Sequence, residues 1–133
     1  MNPNYPLVAK RAAHHCEYCH APEAIFNFPF EVEHIIPVAH GGSNDDMNLA
    51  LACRACNLHK SNHLDGVDPE TKTAVRLFHP CRDSWDEHFK PIATAGTIVG
   101  RTPIGRATVA RLRINTQTQV IARQQWMRLN LFP

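Results

Sequence analysis

The sequence lacks any long apolar run. No stretch of it approaches the roughly 18 consecutive apolar residues that cross a bilayer. The first residues also lack the apolar stretch of about 7–15 residues that a secretory signal contains. With 44% apolar and 20% charged residues, the composition is that of a globular protein. We therefore expect no membrane association and a cytoplasmic location, where thiols stay reduced.

Acidic residues are missing from the last third of the chain. Residues 88–133 contain seven Lys or Arg and no Asp or Glu, giving +7, whereas residues 1–87 carry twelve carboxylates against seven Lys or Arg, giving −5. A segregated basic segment predicts a nucleic-acid-binding surface, because neutralising phosphates releases counterions. The alternative is a basic surface that serves only solubility.

Four of the five cysteines form two CxxC pairs, Cys16 with Cys19 and Cys53 with Cys56. Four thiolates at this spacing suit one tetrahedral Zn²⁺. A filled four-thiolate site has no open position, so its role is predicted to be structural, with the 33 residues between the pairs held at both ends. The alternative is four buried thiols without a metal. Cys81 has no cysteine neighbour and is expected to be a packed thiol.

Hydrophobic periodicity predicts short helices and strands. A strand is expected within residues 28–37, with Phe30, Val32 and His34 on one side and Glu33 on the other. Thr102-Pro103 predicts the start of a helix, with threonine as the cap and proline in the first turn. Other helices are expected at residues 5–15, 54–63, 84–89 and 119–129, and β structure at residues 74–78 and 97–100.

A series of short motifs links the two cysteine pairs. Glu33-His34 precedes Ile35-Ile36-Pro37, Gly41-Gly42 and Asn48-Leu49 follow, and the second pair continues as Cys56-Asn57 with Lys60 nearby. In this order, over about residues 14–63, the motifs resemble the HNH endonuclease family, the ββα-metal or His-Me finger nucleases. Residues 77–89 and 102–108 also resemble the C-terminal extension of a bacterial, especially cyanobacterial, subgroup.

The resemblance implies an α+β fold. Its centre would be a ββα-metal core with a four-cysteine structural zinc, followed by a mainly helical C-terminal extension. We place the nuclease core at residues 1–66 and the basic extension, packed on that core, at residues 67–133.

The resemblance also assigns roles in catalysis. It makes His34 the general base, oriented by a backbone carbonyl so that its other ring nitrogen faces the attacking water. It makes Asn48 a positioning residue that ties the following loop to the backbone near the base. Glu33 and Asn57 would hold one catalytic ion, Mg²⁺ or Mn²⁺, through oxygen ligands. For His34, the alternative left open is a strand histidine whose ring is satisfied by hydrogen bonds. For Glu33, it is a solvent-exposed strand carboxylate.

Arg54, Lys60 and His59 share the predicted helix with Asn57 and are expected to contact phosphates. The implied activity is hydrolysis of DNA phosphodiester bonds, by nicking or double-strand cleavage, with RNA as a further substrate and a monomer or homodimer as the acting species. By resemblance, the products carry 5′-phosphate and 3′-hydroxyl ends. One alternative is a non-catalytic, zinc-stabilised nucleic-acid-binding module, and another is a zinc-built protein-interaction domain.

Overall fold

A β-hairpin followed by a helix forms the centre of the protein, whose computed structural model describes all 133 residues. Strand β1 (Glu31–His34) pairs antiparallel with β2 (Leu49–Ala52), so that His34 lies opposite Leu49. A single residue, Cys53, separates β2 from helix α2 (Arg54–Lys60). All four residues of β2 are apolar and buried, as in a strand that is covered on both faces. The fold is therefore α+β, with the β-β-α order that the motifs predicted.

Strand β1 turns a carboxylate, not a valine, toward the interior. Glu33 is buried whereas Val32 and His34 are half-buried. Glu33 and His34 thus lie on opposite faces of the strand, as predicted. Glu33 takes the inner face because it finds an ammonium and a hydroxyl group inside the protein and is buried with them.

The rest of the chain adds two further hairpins and four helices. Helix α1 (Tyr5–Arg11) precedes the central hairpin. After α2 come β3 (Asp65–Val67), β4 (Ala74–Arg76), α3 (Trp85–His88), β5 (Phe89–Ile92), β6 (Thr97–Gly100), α4 (Pro103–Arg111) and α5 (Gln117–Arg128). The hairpins are β3 with β4 and β5 with β6. None of the helices combines the length and the apolar character needed to cross a membrane.

A single hydrophobic core draws on both halves of the chain. Its 22 buried residues include Val8 and Leu51 from the first half and Phe78, Phe89 and Leu112 from the second. The expected boundary between residues 66 and 67 falls inside β3, so no linker separates the two parts. Residues from both halves thus share one core, and the helices of the second half are accompanied by the β3–β4 and β5–β6 hairpins.

Helix α4 starts at the predicted cap. The Thr102 hydroxyl accepts a hydrogen bond from the Gly105 backbone N–H at 3.0 Å, and Pro103 occupies the first turn, where its missing N–H costs nothing. Further along the helix, the Thr108 hydroxyl accepts from the Phe78 N–H at 2.9 Å. That bond joins α4 to the segment that follows β4.

Candidate active site and metal centre

The four cysteines of the CxxC pairs converge at one buried point. Their sulfur atoms all lie within 4.8 Å of one another, and Cys19 Sγ is 3.7 Å from Cys53 Sγ. Cys16 and Cys19 lie in the knuckle after α1, Cys53 caps the start of α2 and Cys56 lies on its first turn. The free, convergent thiols fit a tetrahedral zinc ion. Bound there, zinc would join the first knuckle to the end of β2 and the start of α2.

A buried arginine from α5 accompanies the cysteine cluster. Arg123 is fully buried and donates to the Gly96 and Ile114 carbonyl oxygens at 2.9 Å each. Burial lowers the pKa of its guanidinium, while the charges of the cluster cysteines act in the opposite direction. No local pattern predicts the burial of Arg123, because in the sequence it is one more cation of the basic segment.

Trp85 joins the extension to the first cysteine knuckle. Its indole N–H donates to the Tyr18 carbonyl oxygen at 2.9 Å, and its ring stacks on His20 with 3.8 Å between centroids. Cys81, the fifth cysteine, is half-buried and directs its thiol toward the Leu49 carbonyl oxygen at 3.6 Å. Cys81 therefore lies outside the metal cluster, as expected of a packed thiol.

His34 is oriented by a side-chain amide. Its Nε2 lies 2.7 Å from Asn44 Oδ1, and because an amide oxygen only accepts, Nε2 carries the proton. In the neutral ring, Nδ1 then keeps a free lone pair. A backbone carbonyl was expected in this position, and the sequence had not singled out Asn44. The signal that could have revealed Asn44 is its place in the Gly41-Gly42 loop, shortly after the Ile-x-Pro motif.

Asn48 fastens that loop to the end of β1. Its Oδ1 accepts from the Ile36 N–H at 2.9 Å, and its Nδ2 donates to the carbonyl oxygens of Ile36 at 3.1 Å and Ser43 at 2.8 Å. Gly42 packs against the same peptide so closely that a Cβ on it would lie 1.7 Å from the Ile36 oxygen. Only glycine fits there. Together these contacts fix the loop that carries Asn44.

Glu33 lies in a buried network of three side chains. Its carboxylate accepts from the Tyr18 hydroxyl and, at 3.0 Å, from Lys60 Nζ. Lys60 Nζ also donates to the carbonyl oxygens of His34 at 3.2 Å and Ile35 at 2.9 Å. Burial raises the pKa of the Glu33 carboxyl, and the Lys60 ammonium and Tyr18 hydroxyl oppose that rise. The Lys60 and Glu33 side chains are only 2% and 6% exposed.

This network bears on the expected catalytic ion. The Lys60 ammonium lies 3.0 Å from one oxygen of the carboxylate that the resemblance assigns to a divalent cation, and outside the cysteine cluster no three His, Asp or Glu side chains converge. A Mg²⁺ or Mn²⁺ ion on Glu33 would therefore compete with that ammonium. Asn57 is half-buried on α2, one turn before Lys60.

The structure separates the three expected phosphate contacts on α2. Arg54 is exposed at the first position of the helix and forms no ion pair. His59 is half-buried, with its Nδ1 3.1 Å from the Leu112 carbonyl oxygen. Lys60 is buried and bonded as described, so its ammonium does not reach solvent. Of the three, Arg54 presents its charge freely.

The basic segment is partly neutralised inside the protein. Arg106 forms two 2.9 Å hydrogen bonds with the buried Asp68 carboxylate, and Arg123 is buried. The Arg106 guanidinium holds the pKa of Asp68 well below its usual range. The exposed cations of the segment are Lys90, Arg101, Arg113 and Arg128. The positive surface is thus smaller than the charge count of residues 88–133 indicates.

Comparison with known proteins agrees with the motifs. Residues 16–63 match the model of the HNH endonuclease family, a match that covers roughly a third of the chain. No curated protein and no solved structure gives a significant match. The matched segment begins at the first cluster cysteine and includes β1, β2 and α2. This segment therefore matches an HNH endonuclease domain, a kind of domain that is nuclease-type and metal-binding at the level of the family.

Proposed function

We propose that the protein is an endonuclease that hydrolyses DNA phosphodiester bonds, with His34 as the general base. The observation that carries this proposal is the 2.7 Å bond between His34 Nε2 and Asn44 Oδ1. It leaves the Nδ1 lone pair to take a proton from water. The water oxygen then attacks the phosphorus, and the bond from phosphorus to the 3′ oxygen breaks. The products carry a 5′-phosphate and, after the leaving oxygen takes up a proton, a 3′-hydroxyl.

Positioning residues support the base. Asn44 fixes the imidazole, Asn48 fixes the loop that carries Asn44, and Lys60 fixes the backbone of β1 by binding the His34 carbonyl oxygen. A base acts efficiently only when its geometry is held in this way. Lys60 thus takes a role different from the expected phosphate contact. Arg54 remains the proposed phosphate contact on α2.

The two metals stand differently in this proposal. A structural zinc on Cys16, Cys19, Cys53 and Cys56 agrees with the convergence of the four sulfurs. The resemblance implies a Mg²⁺ or Mn²⁺ ion held by Glu33 and Asn57. In the structure the Lys60 ammonium binds the Glu33 carboxylate. The test of function therefore varies the divalent metal independently.

Supercoiled plasmid, incubated with the zinc-loaded protein and with Mg²⁺, Mn²⁺ or no added metal, tests the proposal. We expect nicked or linear product, and we expect His34→Ala to lower the rate by about 100-fold or more, the usual contribution of a general base. The exposed His40, near the same loop, supplies the matched control His40→Ala, which should cut like the parent. Intact plasmid under all three conditions would rule out DNA cleavage. RNA of the same sequence shows whether the protein also cleaves a ribose backbone.

A second pair of variants tests the orientation of the base. Asn44→Ala removes the acceptor for His34 Nε2 and should lower the maximal cleavage rate while leaving the Michaelis constant unchanged. Asn44→Asp keeps an acceptor oxygen and should restore much of that rate. Equal rates for the two variants would mean that Asn44 does not position the imidazole.

The second candidate function is a zinc-stabilised nucleic-acid-binding module without catalysis. The bonds from Tyr18 and Lys60 to the two oxygens of Glu33 favour it, because a metal on that carboxylate would have to compete with both donors. It predicts DNA binding that weakens with salt and no strand cleavage in any metal.

A further inference from the structure

A cavity of about 440 Å³ lies between the HNH segment and the chain that follows β4. Its apolar lining includes Ile35, Leu64, Leu77 and Phe78. The volume falls in the range of pockets that hold small organic ligands, roughly 300–1,000 Å³. Because Ile35 directly follows the proposed base in the chain, the cavity borders the catalytic strand. Nothing in the proposed reaction uses it.

One residue of the cavity lining, His79, has a polar atom without a partner. His79 Nδ1 accepts from the Cys81 N–H at 3.2 Å, so the neutral ring carries its proton on Nε2. That Nε2 is buried and has no hydrogen-bond partner, although His79 is only 9% exposed. Most buried donors in folded proteins are paired. The Nε2–H group is thus an unpaired donor beneath the cavity wall, closed off from the open space of the cavity.

The rim of the cavity is positively charged. Arg82 is exposed and has no carboxylate partner. The only carboxylate in the lining, Asp83, is already bound by Arg76 through two bonds of 2.6 and 2.9 Å. Arg82 and His79 also border the neighbouring hollow formed by the Gly41-Gly42 loop. An anionic group placed at this rim would thus meet one unpaired guanidinium close to the loop that orients the base.

We propose that this cavity binds one unpaired nucleotide of the nucleic-acid substrate, next to the bond that is cut. The base packs on Leu64, Leu77 and Phe78, and its phosphate lies at Arg82. An apolar surface with an unpaired cation at its mouth matches the base and the phosphate of a nucleotide. The inference rests on the proposed function, since it names a feature of the same substrate.

Binding of three fluorescein-labelled DNA duplexes tests the inference. One duplex carries a single unpaired thymidine, one carries an abasic analogue at the same place, and one is fully paired. Fluorescence anisotropy is measured with the zinc-loaded protein and no added Mg²⁺ or Mn²⁺. We expect the thymidine duplex to bind about tenfold more tightly than the abasic duplex, a gain typical of one base held in a protein site. Equal affinities would overturn the inference.

Two variants locate the effect. Leu64 is 40% exposed at the edge of the cavity, so Leu64→Trp fills the space without entering the core, and Leu129→Trp, at a 63% exposed position on the end of α5, is its control. Leu64→Trp should abolish the tenfold preference, and Leu129→Trp should keep it. Arg82→Gln should weaken both bulged duplexes to a similar extent, whereas the exposed Arg128→Gln should weaken neither as much. A preference that survives Leu64→Trp would place the base elsewhere and refute the inference.

The outcomes separate the inference from the proposed function. Plasmid cleavage without a thymidine preference overturns the cavity assignment and leaves the nuclease proposal standing. A thymidine preference that Leu64→Trp removes, without cleavage of any substrate, supports the cavity as a nucleotide site and refutes the nuclease proposal.

Discussion

Replacing Lys60 by methionine removes an ammonium group that makes three hydrogen bonds in the protein interior. Methionine retains most of the apolar stem of the side chain, so the change acts mainly on the charge. The loss leaves the buried Glu33 carboxylate with Tyr18 as its one remaining side-chain donor, and it deprives the His34 and Ile35 carbonyl oxygens of a donor. Because both members of the ion pair are almost fully buried, solvent cannot replace the missing contacts.

The expected loss is about 3–5 kcal/mol in the free energy of unfolding, the usual cost of removing one partner from a buried ion pair. A charge-assisted hydrogen bond of about 1.5–3 kcal/mol and two carbonyl bonds of about 1 kcal/mol each lead to a similar value. The double variant Glu33→Gln/Lys60→Met buries no charge. It should recover about 2 kcal/mol of the loss, because residues in direct contact couple by roughly 0.5–3 kcal/mol.

Equilibrium unfolding in urea, followed by tryptophan fluorescence with zinc present, measures these differences. The exposed Lys90 supplies the control Lys90→Met, which should change stability by less than about 0.5 kcal/mol. A loss below about 1 kcal/mol for Lys60→Met, or strictly additive effects in the double variant, would refute the proposed buried network.

Three further predictions concern the loop, the tyrosines and the metal cluster. Gly42→Ala should cost about 1–3 kcal/mol in unfolding free energy and reduce cleavage, because its Cβ would strike the Ile36 carbonyl oxygen; Ser43→Ala, on the exposed neighbour, should do neither. Burial and its bond to Glu23 raise the pKa of Tyr5 to about 12, and burial raises that of Tyr18 well above its ordinary value. A phenol whose pKa is raised by folding contributes stability that is complete below pH 10 and is lost as pH rises through the pKa of the folded state. Ultraviolet titration should therefore show almost no tyrosinate at pH 10. Half ionisation at pH 10 would contradict the assignment. Metal analysis should find about one zinc per chain, and chelation should lower the thermal midpoint measured by circular dichroism, whereas an unchanged midpoint would mean that the cluster is not a structural metal site.

Much of the HNH segment could be predicted from the order of short motifs. Two CxxC pairs predict a convergence of sulfurs because the two-residue spacer itself brings each pair together, and the convergence is present. The cap at Thr102 and the helix after Cys53 follow from equally local rules. Asn48 lies near the end of β1 as its motif suggested, and its three hydrogen bonds could be anticipated in kind though not in detail.

The contacts of charged groups could not be predicted in the same way. Alternation along a strand defines two faces but does not say which face is turned to the interior, because a carboxylate with buried partners can take the place of a valine on the inner face. The partners of Glu33 lie 15 residues before it and 27 residues after it, so no local pattern connects them. Likewise, the charge count of residues 88–133 treats all seven cations alike, although folding buries Arg123 and pairs Arg106 with Asp68.

The sequence by itself determined the two cysteine pairs, the adjacent Glu33 and His34, and the β-β-α order, because each depends on spacing along a few residues. Only the tertiary structure decided which groups those side chains meet, namely Asn44 for the imidazole and Lys60 for the carboxylate, and it alone formed a cavity beside β1. Hydrogen bonds and buried charges join atoms that are distant in the chain, and their energies depend on burial and geometry, which exist only once the chain has folded.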